Sequence, residues 1–289
     1  MGASVSVVGD TTTVRDAAWG LRFPSLSGVD HVLVAAPSWP AVDLDLQLSE
    51  TPDVDDSSDW TEQGMHVHLA AGGRLEITWP ANVRLRLPGH PLPECVVQPH
   101  LTTAAASIAL HGGLQAFHAG AFVVGGRAWA VLGAKESGKS STLALAERRA
   151  ASVVTDDLLV VDRGEALVGP RCVDLREEAA TFLGVGEPLG VVGLRERWRI
   201  RVGACPSQVP MAGWVLPSWG KDAVTPVATL DRLRVLLANV SMQGLTMNDP
   251  DEYLRLAALP MLAWSRPKGW DTAAHSFDLL LQELDHDRK

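Results

Sequence analysis

The sequence has only three cysteines, a single tyrosine and fewer basic than acidic residues. Cys95, Cys172 and Cys205 lie far apart, and no Cys-x-x-Cys or Cys/His ligand spacing accompanies them. An odd, scattered set excludes the disulfide framework of a small secreted domain and fits a reducing compartment. The first residues, Met1 to Val5, lack a basic segment leading into an apolar one, so no secretory signal is read. No apolar run reaches the length needed to span a bilayer, and a membrane is not an expected partner. With 25 Lys and Arg against 34 Asp and Glu, the formal net charge is −9. No basic run offsets it, so nucleic acid is not an expected partner either. Internal repeats and low-complexity segments are also missing. The expected compartment is the cytoplasm.

What is present is a chain of 289 residues, 46% hydrophobic, which is enough for a packed core. That length holds one large domain or two of ordinary size. Residues 1–100 read as β-rich. Val42, Leu44, Leu46 and Leu48 alternate with Asp43, Asp45 and Gln47, the period of a strand with one face in a core. Similar alternation recurs over 65–69, 75–79 and 83–87. The acidic stretch 51–59 reads as a solvated loop. A proline-punctuated segment, 88–99, then places a domain boundary near residue 100, giving a β-rich domain over 1–100 and a second domain over 101–289.

The second domain opens with an alanine-rich helix over 101–114. A hairpin follows, with strands at 121–124 and 127–132 and Gly125-Gly126 as its turn. A helix is expected over 139–149 and a strand over 151–155. Residues 158–162 and 166–168 flank a turn at Arg163-Gly164-Glu165. A buried strand is expected at 211–216 and a helix at 230–240 with apolar spacing through Leu230, Leu233, Leu236 and Leu237. Asp249-Pro250-Asp251-Glu252 has the chemistry of a helix start, with Asp as cap, Pro first and Glu third. That helix ends or kinks near Pro260, and a last short helix covers 276–284.

Between the hairpin and the helix stands Gly133-Ala134-Lys135-Glu136-Ser137-Gly138-Lys139-Ser140-Ser141, which contains G-x-x-x-x-G-K-[ST]. In such a loop the glycines let successive backbone N–H groups turn toward phosphates. Lys139 then reaches the β- and γ-phosphates, and the Ser140 hydroxyl ligates Mg²⁺. The helix that begins there adds the positive end of its dipole. A chance match in a chain of this length occurs roughly once in a hundred at average residue frequencies. Here a buried strand precedes the motif and a helix follows it. Nucleotide binding, with ATP and Mg²⁺ as the cofactors, is the reading.

Asp156-Asp157 ends the next strand. One carboxylate at such a strand end holds Mg²⁺ directly or through water. Two adjacent ones can face different ways, leaving the second to take a proton from an attacking hydroxyl. On these residues alone, a polar turn between strands is the alternative.

Phe117-His118-Ala119-Gly120, the glycine loop and Thr155-Asp156-Asp157 together resemble the catalytic core of HPr kinase/phosphorylases. His118 lies 21 residues before Lys139, and Asp157 lies 18 after it. The resemblance covers roughly residues 101–176. It implies an α/β fold with a P-loop core and a β-rich N-terminal domain, acting as a kinase of a serine hydroxyl. It implies Asp157 as proton acceptor, Lys139 and His118 beside the transferring phosphoryl group, and Ser140 at the metal, which leaves Asp156 as the strand-end carboxylate for Mg²⁺. Val173-Asp174-Leu175-Arg176 resembles the family's metal-carboxylate string with Asp for Glu, so Asp174 is implied as a further ligand. The family's glycine-rich string is replaced here by Glu177-Glu178-Ala179-Ala180. Its later arginine loop has no equivalent around Arg199 and Arg201, so the reverse reaction and HPr as substrate are not implied. The layout also resembles kinase-like relatives that accompany ribosomally made peptides, lasso peptides among them. The implied partner is a serine-bearing protein or precursor peptide, and the implied assembly a homo-oligomer. Kinases of small molecules, and nucleotide-gated regulators without transfer, are the competing classes.

Two lesser features stay with plain readings. His66 and His68 share one strand face, a spacing zinc can use, but without a third ligand they read as solvent-facing. Ten tryptophans, Trp214, Trp219, Trp264 and Trp270 among them, read equally as core filler or as the lining of a peptide groove.

Overall fold

The computed structural model describes residues 14–53, 57–69, 72–242 and 249–286. It is a mixed α/β structure with sheets of five, nine, three and two strands. The five-stranded sheet carries the alternation seen in the sequence. Its strands Asp43–Ser49 and Asn82–Pro88 pair in parallel, and Gly73–Thr78, Gly64–Leu69 and Asp59–Trp60 follow antiparallel. Val83, Leu85 and Leu87 face the core. Leu48, expected to join them, is 46% exposed because its strand runs out past the core it starts in. Asp59 falls in a short edge strand rather than a loop, and 54–56, the middle of the expected loop, lies outside the described residues.

The helix Leu101–His111 follows the sequence reading but packs backward. Leu101, Ala104, Ala105 and Ile108 share one hydrophobic core with Leu75, Leu85 and Leu87 of that sheet. Leu158, Val160 and Leu167 join the same core, so apolar packing is continuous across residue 100.

The nine-stranded sheet positions the site. Strand Gly120–Val124 turns through Gly125 (φ 59°) and Gly126 (φ 77°) into Arg127–Val131, as the two-glycine hairpin predicts. Arg127–Val131 pairs in parallel with the twelve-residue strand Gln208–Trp219, which pairs in parallel with Met261–Arg266. On the other flank Val153–Thr155 runs antiparallel to Gly120–Val124, hence in the same direction as these three. The carboxyl ends of all four strands therefore meet one edge of the sheet, where α/β folds bind ligands. That edge carries the glycine loop, Asp156, Trp219 and Arg266.

Elsewhere the pattern was only partly readable. Met261–Arg266 and the three-stranded sheet of Cys172–Leu175, Arg195–Arg201 and Glu187–Val192 were not foreseen. The helix Thr229–Ala238 forms as expected, but of its leucines only Leu236 is fully buried, and Leu230 stands in solvent. The helix Pro250–Ala258 starts where the cap chemistry places it, with the Glu252 N–H donating to Asp249 Oδ1 at 3.0 Å. Ala273–His286 closes the chain as a longer helix than 276–284. No helix of the described residues is long and apolar enough to cross a membrane.

Candidate active site

The glycine loop leaves its strand at Gly133 (φ 134°) and enters its helix, Lys139–Arg148, through Gly138 (φ 86°). Both angles disfavour any side chain, and a Cβ at Gly138 would also run into the Arg266 guanidinium. The Lys139 ammonium donates to the carbonyls of Gly133 (2.7 Å) and Ala134 (3.2 Å) of its own loop. Burial lowers its pKa, and the charges of Asp157 and Asp156 work against that shift. The lysine thus sits where a phosphate would replace two carbonyls as its partner.

The aspartate pair divides at a tight turn. Leu158 N–H returns to the Asp156 carbonyl at 2.8 Å, and Asp157 takes the left-handed φ of 63°. This sends the two carboxylates apart. Asp156 is 1% exposed and accepts from Ser140 Oγ at 3.1 Å and from the Asp174 N–H at 3.1 Å. Its pKa is pushed up to about 8, first by burial, then by the charges of Asp157 and Asp174. Asp157 instead faces the cleft, with its Oδ2 3.8 Å from Arg195 Nη2 and 3.9 Å from Arg197 Nη1.

His118 closes the other side. Its Nδ1–H donates to the Asp157 carbonyl at 3.0 Å, which leaves Nε2 as the second polar atom of an exposed ring. Its pKa is lowered, chiefly by desolvation against the wall it leans on and then by the Lys139 charge. The sequence therefore named four groups, His118, Lys139, Ser140 and the aspartate pair, that the fold brings to one place.

Asp174 is brought near them but occupied otherwise. Its carboxylate receives Arg199 Nε (2.7 Å), Arg199 Nη2 (3.0 Å) and Arg197 Nη1 (3.0 Å), with no exposed side-chain surface. The metal role implied by resemblance finds both of its oxygens held by guanidiniums. Arg199 also donates to the carbonyls of Glu94 and Gln98, tying the N-terminal segment to this strand.

Several contributors were not foreseen. Asn239 accepts the Gly133 N–H on Oδ1 (3.2 Å) and the His118 N–H on its backbone carbonyl (2.8 Å), joining the loop to the histidine. Arg266 lies between the rings of Trp264 (4.1 Å) and Trp219 (4.5 Å) and donates to the Ser137 carbonyl. Only a lone arginine at the end of an unrecognised strand marked it in the sequence. Arg195 and Arg197 share an alternating Arg-x-Arg-x-Arg-x-Arg run, 195–201, whose period-2 spacing was a usable sign that they share a face.

His118, Lys139, Ser140, Asp157, Arg195 and Arg266 are among the residues that line a cleft of about 810 Å³. A smaller cavity of about 370 Å³, bordered by Glu147, Arg148 and Arg201, holds none of the motif side chains. Among the described residues no three His, Cys, Asp or Glu side chains are placed to hold a metal by themselves. The oxygen donors Ser140 and Asp156 fit Mg²⁺, which takes one or two protein oxygens and fills its shell with phosphate and water. Asp156 itself, a buried carboxylate whose pKa is raised, fits the same need for a cation. His66, in contrast, stands 3.3 Å from Ser57 Oγ.

No family model matches the chain, and no curated protein matches it. Among solved structures it is similar to the HPr(Ser) kinase/phosphatase from Coxiella burnetii, at 14% identity and a TM-score of 0.28. That match covers 60% of this chain and 95% of the other. So distant a likeness carries no weight here, and function rests on the side chains.

Proposed function

We propose that this chain transfers the γ-phosphoryl group of Mg²⁺-ATP to a hydroxyl, with a serine of a protein or peptide as acceptor. A ribosomally made precursor, such as that of a lasso peptide, is the substrate favoured by the resemblance above. The observation that carries the transfer is the division of the aspartate pair, one carboxylate buried on Ser140 and the other facing the cleft beside His118.

Ser140 and Asp156 would hold the Mg²⁺, which when bound neutralises charge on the phosphate oxygens. Lys139 exchanges its two loop carbonyls for phosphate oxygens. Asp157 orients the acceptor hydroxyl and takes its proton as oxygen attacks the γ-phosphorus; the bond from that phosphorus to the β–γ bridging oxygen breaks, and ADP departs. Lys139, with His118 donating from Nε2 when protonated, opposes the charge that builds on the transferring group.

Labelled ATP, offered with serine-containing peptides and with a panel of small hydroxyl metabolites, tests this. Label on the peptide supports the proposal, and label on a metabolite makes the chain a small-molecule kinase, a reading favoured by the concavity of the cleft. Asp157→Asn is expected to keep nucleotide binding and lower transfer by about 10²- to 10⁴-fold. Undiminished transfer by that variant would remove Asp157 as the base. Tight ATP binding with no labelled product would make the chain a binding protein.

A further inference from the structure

The cleft has two unlike ends. At one stand His118, Asp157 and Arg195, the charged groups assigned above to the acceptor side. At the other Leu145, Ala179, Ala273 and Trp270 cluster, with Glu178 and Lys268 also in the lining. The loop fixes which way a nucleotide must run between them. Lys139 serves the terminal phosphates, and Ser141, Thr142 and Leu145 then lead along the helix toward the second end. The nucleoside therefore leaves by the apolar end.

Trp270 is held there as a platform. Its ring stacks on Phe182 with centroids 5.1 Å apart and planes 21° apart, and its Nε1–H donates to Glu178 Oε1 at 3.0 Å. Both contacts come from the helix Glu177–Leu183, so the ring is fixed before any ligand arrives. The pair is not ordinary core: Phe182 is half exposed, and Trp270 is only partly buried. Beside it the backbone at Gly269 faces open space, since a Cβ added there would meet nothing within 4 Å.

We infer that Trp270 is the base-stacking platform of a nucleoside-triphosphate site, so that this cleft selects nucleotides over bare oligophosphates. The inference rests on the nucleotide reading proposed above. Aromatic stacking suits any base, because every base presents a π-face.

Calorimetry with Mg²⁺ separates the two ideas, using a β,γ-imido analogue of ATP and inorganic tripolyphosphate as ligands. Trp270→Leu is expected to weaken the analogue about tenfold, or about 1.4 kcal/mol. It should leave tripolyphosphate within about twofold of the wild type, since stacking contributes nothing to that ligand. Trp270→Phe keeps a ring at the position and should retain most of the analogue's affinity, which guards against a folding defect in the leucine variant. Full analogue affinity in Trp270→Leu, or equal weakening of both ligands in a folded variant, would overturn the platform. If neither ligand binds the wild-type protein, the glycine loop itself is misread, and the platform goes with it.

Discussion

Asp156 and Asp174 are both buried, lie on neighbouring segments and are joined by one backbone hydrogen bond of 3.1 Å, yet their electrostatic surroundings are opposite. Two guanidiniums satisfy Asp174, while Asp156 has a serine hydroxyl and an amide but no cation within ion-pair distance among the described residues. Burying a charge is costly unless a counter-charge comes with it. Asp174 meets that condition inside the fold, and its region is complete as it stands. Asp156 does not, and its raised pKa records the deficit. The difference separates a carboxylate whose charge is met inside the fold from one whose charge is not.

The largest effect should follow from breaking the complete side. Asp174→Ala leaves Arg197 and Arg199, 9% and 2% exposed, without their carboxylate. Removing one partner of such a group costs about 3–5 kcal/mol. Unfolding in urea should show it as a lower midpoint with an unchanged slope.

Removing the incomplete charge should act in the opposite direction. The unfolded Asp156 carboxyl ionises near pH 4, whereas the folded one holds its proton to about 8. Between those values the folded state binds the extra proton, so metal-free stability falls as pH rises through the window and levels off above it. Asp156→Asn should flatten that fall and melt higher than the wild type at pH 9, by the equivalent of roughly 1–3 kcal/mol. Mg²⁺-nucleotide affinity should drop in the same variant. Parallel melting curves for the two proteins across pH 5–9 would show that Asp156 is not the titrating group.

Much of this contrast was legible in the sequence, but not its resolution. The glycine loop, the paired aspartates and His118 were found because each is fixed by local chain chemistry and by spacing along a short stretch. The roles of Asp174 and the arginines depend on a strand more than 20 residues away, and no local pattern announces which oxygen a distant guanidinium takes. Helical spacing likewise finds the apolar stripe of Thr229–Ala238, but only packing decides whether a neighbour covers it, and Leu230 is left in solvent. Met261–Arg266 escaped because a short apolar run after a proline reads equally as the end of a helix. With it went Arg266, whose position depends on that strand's parallel register with Gln208–Trp219.

Arg266 extends the comparison to a cation. It is buried, no carboxylate among the described residues pairs with it, and burial lowers its pKa to about 10. Its Nη1 and the Ser137 Oγ beside the loop both lack a hydrogen-bond partner among the described residues. Two tryptophan faces replace a counter-ion. Arg266→Met should retain the bulk and lose the cation–π contacts and the bond to Ser137. It should destabilise the fold by about 2 kcal/mol and weaken tripolyphosphate as well as nucleotide, a pattern distinct from that expected of Trp270→Leu.

The smallest effect belongs to Asn239, which carries no charge. Its Oδ1 satisfies the Gly133 N–H, its Nδ2–H donates to the Val235 carbonyl at 2.8 Å, and its backbone carbonyl holds the His118 N–H. Asn239→Ala removes the two side-chain bonds and keeps the third. One lost bond of this type costs about 1 kcal/mol, so the melting temperature should fall by a few degrees. Phosphotransfer should decline about threefold to tenfold through a looser loop, because the Gly133 amide then lacks its fixed acceptor. A pH–rate profile distinguishes loop positioning from general destabilisation. Since the backbone contact to His118 survives, the profile should keep its wild-type shape while its height drops, whereas a displaced histidine would move the limb on which activity falls as pH rises.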